Sequence, residues 1–281
     1  MGVLMWSPLC GCRSGRPARR GYGMGRQVRH VRRVFEEGVF QVAVWGEVWA
    51  ALTGNRPLQL LTKPVAVPLL AFKAHRRRSE LEPAERRLLV AGLVAAGVGD
   101  YYMSRSDEDS QIIRGATAFG AMQLLYAALM MRRGSRPHVR TAALPLAAWV
   151  AAASLLAARR EAGRSRVPAV LTVYAASLAH MLTLAQDLRP ERLSEVVSAL
   201  VRPTRDRRTW LSAGALLFAV SDTAILLRRT LLTDARARAA AQMFVLTSYN
   251  AAQWLIVEGF LAQASTGAPR VSARGAGVLP H

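Results

Sequence analysis

A chain of 281 residues that is 52% hydrophobic, with a formal net charge of +20, fits two broad classes: a basic nucleic-acid binder or a membrane protein with charged connections. The placement of the charge argues against the first. Apart from Lys63 and Lys73 the cations are arginines, and they sit between apolar runs of about twenty residues and in the N-terminal tail.

Inside hydrocarbon a span must satisfy its own backbone, so it is a helix or part of a closed barrel. Alternating strand patterns are absent, which leaves helices. The expected fold is all-α: a polytopic membrane bundle of about eight transmembrane helices, with membrane lipids and not nucleic acid around it. Cys10 and Cys12 are the only cysteines. Two residues apart in the tail, they cannot staple a domain, and no His/Cys spacing accompanies them, so neither a metal nor a cofactor is expected.

Taken in order, residues 1–33 hold Arg13, Arg16, Arg19, Arg20, Arg26, Arg29, Arg32 and Arg33 among glycines. A short apolar patch precedes this charge, the reverse of a secretory signal. The segment is expected to be a disordered basic cytoplasmic tail. A single transmembrane domain over 34–262 follows, then a disordered tail over 263–281.

Eight spans are expected. The first, about 38–54, is interrupted by Glu47. The second, about 57–73, carries Lys63, Pro64 and Pro68. The others fall at about 88–104, 112–131, 141–158, 167–186, 210–227 and 240–262. Arginine and lysine are counted in the short loops to set orientation. The loops after spans two, four and six hold sixteen, against eleven in the alternate set. With the basic tail on the same side, both termini are expected in the cytoplasm, in the inner membrane of the cell.

Two carboxylates organise the chemistry. The stretch LLVAGLVAAGVGDYYMSR at 88–105 runs through small and apolar residues to Asp100, and GALLFAVSD at 214–222 repeats the arrangement up to Asp222. An acid inside a membrane helix costs roughly 2.5–3.5 kcal/mol on insertion scales, so it marks a functional position by default. Two acids meeting in one polar pocket could divide general acid and general base work between them. The plain alternative is that each clamps a helix junction.

Lys63 stands inside a span beside Pro64. Either an acid or a ligand phosphate neutralises it there, or it snorkels to the interface. Tyr249 and Gln253 share a face of the last span with Asn250 on its border, and Gln123 and Tyr126 share a face of the fourth. These side chains either orient a substrate or water, or make the interhelical hydrogen bonds that bundles use routinely. His180 stands alone. Glu47 and Glu258 lie near span ends, within reach of headgroups. No Ser-His-Asp grouping, phosphate loop or metal-ligand spacing is present.

Several pieces occur in a fixed order: Lys63-Pro64 followed by Pro68-Leu69-Leu70, Gly99-Asp100, Leu124-Leu125-Tyr126-Ala127, GALLFAVSD at 214–222, and Tyr249-Asn250-Ala251-Ala252-Gln253. Together, over about residues 57–260, they resemble the YhhN family, the lysoplasmalogenase-type membrane proteins. The resemblance implies an eight-helix integral membrane hydrolase that cleaves the vinyl ether of a lysoplasmalogen to a fatty aldehyde and a glycerophospho-alcohol. It implies Asp100 and Asp222 as the catalytic acids, Lys63 as the membrane lysine, and Tyr249 and Gln253 as site residues; its partner would be a lysophospholipid substrate. Where the family usually carries histidine, this chain has Gln123. A non-catalytic reading stands beside it: a small transporter or lipid-binding membrane protein using the acids as a proton relay.

Overall fold

The computed structural model describes residues 21–62, 65–105, 108–158, 166–187 and 209–265. Among these residues there are nine helices and no strands. In chain order they are α1 (Gly21–Leu52), α2 (Arg56–Thr62), α3 (Ala66–Arg76), α4 (Pro83–Arg105), α5 (Asp109–Arg132), α6 (Val139–Ala158), α7 (Val167–Asp187), α8 (Trp210–Thr230) and α9 (Ala235–Ser265). The chain divides into two compact units at Gly38–Val39. The first contributes only its helical part, 21–38, of which 21–33 falls in the segment expected to be a disordered tail. After Gly25 that part has few breakers and several arginines, which are good helix formers.

Among the described residues four helices are long and apolar enough to cross a membrane: Asp109–Arg132, Val139–Ala158, Val167–Gln186 and Trp210–Arg228. The fold is an all-helical bundle of membrane character. Its outer surface is apolar to match, with Trp45, Trp49, Leu144, Leu146, Val150 and Val173 all exposed. The span expected at 57–73 arrives instead as two short helices, α2 and α3, with Val65 in a turn between them. Lys63 and Pro64 lie outside the described residues. Pro68 falls in the first turn of α3, where its missing N–H costs no helical bond.

Six helices close a ring in the order α3, α4, α5, α7, α8, α9 and back to α3, while α6 lies outside it and packs chiefly on α7. Small residues set how near the helices come. A Cβ on Gly214 would stand 2.9 Å from the Ala252 carbonyl oxygen and the Ile256 nitrogen; one on Gly259 would meet the Leu211 nitrogen at 2.5 Å. So α8 and α9 touch backbone to backbone. Between α4 and α5 the contact is backbone to ring: Gly92 lies under Tyr126, and Gly99 under Phe119.

The ring is solid in one half. The fully buried side chains Leu89 and Leu93 of α4, Met122, Tyr126 and Met130 of α5, Leu184 of α7, Leu211 of α8 and Phe260 of α9 fill it. At its end Arg133, just past α5, ties three elements. It pairs with Glu85 of α4 at 3.0 Å, donates to the Phe260 carbonyl of α9 at 2.8 Å, and lies over the Phe260 ring. The other half of the ring is hollow.

Candidate active site

The hollow half contains a cavity of about 240 Å³. Its residues come from the last turns of α4, α6 and α8 and the first turns of α5, α7 and α9, so it lies between one set of helix ends and the middle of the bundle. Its walls are mostly apolar, from Met103, Ile112, Phe119, Leu156, Leu178, Phe218 and Val245 among others. Into this surface project both Asp100 and Asp222. The two acids expected to converge do so, although 121 positions separate them in the chain.

Each carboxylate is held by a tyrosine from another helix. The Tyr249 hydroxyl of α9 donates to Asp100 Oδ2 at 2.8 Å. The Tyr174 hydroxyl of α7 donates to Asp222 Oδ2. Both phenols also line the cavity. Asp100 is buried, with 4% of its surface exposed. Its position on α4 follows from Gly99 before it, which lets α4 sit directly on the Phe119 ring. Asp222 follows Ser221, whose hydroxyl donates to the Val245 carbonyl of α9 at 3.2 Å and so fixes α8 against α9 at that level.

Behind each tyrosine stands a glutamine. Gln253 lies beside Tyr249 and accepts from the Tyr126 hydroxyl at 3.0 Å, while its amide nitrogen faces Met122 Sδ at 3.1 Å. Gln123 lies beside Tyr174 and accepts from the Ser177 hydroxyl. Two chains of polar groups therefore run from the cavity into the core: Asp100, Tyr249, Gln253, Tyr126 on one side, and Asp222, Tyr174, Gln123, Ser177 on the other. Phe119 and Phe218 each meet the Tyr249 ring edge-on with centroids 5.8 Å apart, which fixes its orientation.

Not every expected residue faces the cavity. Gln123, Tyr126 and Gln253 are fully buried behind it and make interhelical hydrogen bonds. Asn250 donates to Glu47 Oε2 of α1 at 2.9 Å and to the Leu246 carbonyl, and does not line the cavity. Glu47 is correspondingly buried and does not reach out to headgroups. Glu258 likewise turns inward, to Lys73 at 2.6 Å. These acids stand beside helices whose side chains can neutralise or hydrogen-bond them, and burial then costs less than it would in hydrocarbon. Tyr174 and Arg228, also of the cavity wall, are among the residues that the sequence alone did not single out. Tyr174 had a signal, as the one tyrosine of its span.

Chemically the site is a mostly apolar chamber with two carboxylates and two phenols, groups able to donate and accept protons. Among the described residues no group of three or more His, Cys, Asp or Glu side chains could hold a metal ion. No curated protein and no solved structure matches the chain. The YhhN family model matches residues 58–260, a stretch that carries both cavity acids and both tyrosines. The chain belongs to the YhhN family.

Proposed function

We propose that the protein is a membrane-embedded hydrolase that cleaves the vinyl ether bond of a lysoplasmalogen or a related lipid ether. What supports this most is one observation: two carboxylates, each held by a tyrosine hydroxyl, line a single apolar cavity. Vinyl ether hydrolysis can use that pair. One acid, in its neutral form, gives its proton to the β-carbon of the vinyl group, leaving an oxocarbenium ion at the carbon bonded to oxygen. The second, ionised, stabilises this cation and takes a proton from the water that adds to it. The hemiacetal then collapses. Its C–O bond to glycerol breaks, the glycerol oxygen receives the proton held by the second acid, and the hydroxyl proton returns to the first. Fatty aldehyde and glycerophospho-alcohol leave, and both acids are restored. Asp100 and Asp222 divide these roles, and Tyr249 and Tyr174 hold them in place.

The protein works in the inner membrane with both termini in the cytoplasm, so the cavity opens in the half of the bilayer away from the cytoplasm. The loops at the solid end of the bundle, with Arg76, Arg77, Arg86, Arg132, Arg133 and Arg136, are then on the cytoplasmic side.

The test uses purified full-length protein and 1-alkenyl-lysophosphatidylethanolamine. Wild type is expected to release aldehyde and to leave the saturated 1-alkyl analogue intact. Asp100→Asn and Asp222→Asn should each lower the rate by roughly 10²–10⁴-fold with the fold preserved. Folded wild type without aldehyde release, or full activity in either variant, would refute the proposal.

A further inference from the structure

Arg228 is the single cation among the described residues that line the cavity. It stands in the last turns of α8, at the level where the helix ends, and its Nε is sealed from solvent. Gln242, from the first turns of α9, joins the wall at the same end. An ionised carboxylate in a chamber of low polarity repels a phosphodiester, and a positive group at the same wall offsets that. We propose that Arg228 is the phosphate-binding subsite of the cavity, gripping the phosphodiester of a single-chain phospholipid. This rests on the lipid hydrolase reading above and names the group that selects its substrate class.

The spacing fits. Arg228 is six residues beyond Asp222, or about 9 Å along the helix axis. From the reacting ether carbon of a lysophospholipid to its phosphorus is six bonds, roughly 7 Å in an extended chain at about 1.2 Å per bond. The two side chains cover the difference. The order of depth fits as well. A lipid in its natural orientation has phosphate at the headgroup layer, ether below it and tail toward the middle of the bilayer. Along α8 the wall runs in that order, from Arg228 through Asp222 to Phe218. A guanidinium carries five N–H donors, so it can keep a contact within the protein and still present a fork to two phosphate oxygens.

Binding of non-cleavable lipids separates this proposal from the catalytic one. Full-length protein in maltoside detergent is titrated with 1-alkyl-lysophosphatidylethanolamine and with the matching 1-alkyl-glycerol, which lacks the phosphate. Wild type is expected to bind the phosphate lipid at least tenfold more tightly. Arg228→Gln should bring the two affinities together while leaving that for the neutral lipid unchanged. Arg228→Lys, a point charge without the fork, should keep part of the difference. Preference for the phosphate lipid persisting in both variants, or loss of both lipids in parallel, overturns the subsite. If the preference holds while wild type releases no aldehyde from the vinyl ether lipid, the subsite stands and the hydrolase reading fails. If aldehyde is released without any preference, the subsite alone fails.

Discussion

Each cavity carboxylate carries a tyrosine, and the two tyrosines come from α7 and α9, on different sides of the ring. A hydrogen bond to a charged group is worth about 1.5–3 kcal/mol. Tyr249→Phe and Tyr174→Phe should therefore each lower kcat by roughly ten- to a hundredfold, measured as aldehyde release, because each leaves one acid less firmly placed. The ion pair of Lys73 with Glu258 predicts a different pattern. Both side chains are almost fully buried, and removing one takes away the other's counter-charge. Lys73→Met or Glu258→Leu alone should destabilise by about 3–5 kcal/mol, whereas the double replacement should recover most of the loss. Thermal unfolding of the three variants in detergent checks this, and a double variant no better than the singles would contradict it. At this scale the sequence was informative about charge inside helices and silent about partners. Asp100 and Asp222 stood out because a carboxylate in an apolar run is costly wherever it points. Lys73, Glu258 and Arg228 read as loop or headgroup residues, because their long side chains turn inward only when the neighbouring helix supplies a reason.

Helix contacts in this bundle are decided by glycines. Gly259 and Gly214 set the α8–α9 pair, and the neighbour at Gly259 is the backbone of Leu211, which cannot rotate away. Gly259→Ala should cost at least about 1–3 kcal/mol through overpacking, read as a lower Tm. Gly99→Ala meets the Phe119 ring at 2.8 Å and pushes on the helix that carries Asp100. It should therefore reduce aldehyde release more than it reduces thermal stability. The contrast between the two variants tests whether α4 spacing governs the site. Most spans were legible as helices because their apolar runs match the bilayer. The break between α2 and α3 was not, although Pro64 falls there in the sequence, because the apolar residues on either side of Lys63-Pro64 add up to one run of spanning length. The closure of α3 onto α9 was equally hidden: a bundle's neighbour relations are set by tertiary contacts and leave no period in the chain.

The described part of the second unit is unequal end to end. The half next to Arg133 is packed with Leu89, Met130, Tyr126 and Phe260, and the half next to Arg228 is hollow. Sequence reading found the charge bias between the two sets of loops but not that the cavity belongs to the less basic side. A cul-de-sac follows from this asymmetry. Among the described residues the packed half backs the cavity, so reactant and products are expected to share the end next to Arg228. On the proposed reaction, a long-chain aldehyde leaving by that route would stand in the way of the next lipid, and it should act as a competitive inhibitor whose strength rises with chain length. Initial rates with added aldehydes of increasing length would show this as a growing apparent KM at constant kcat.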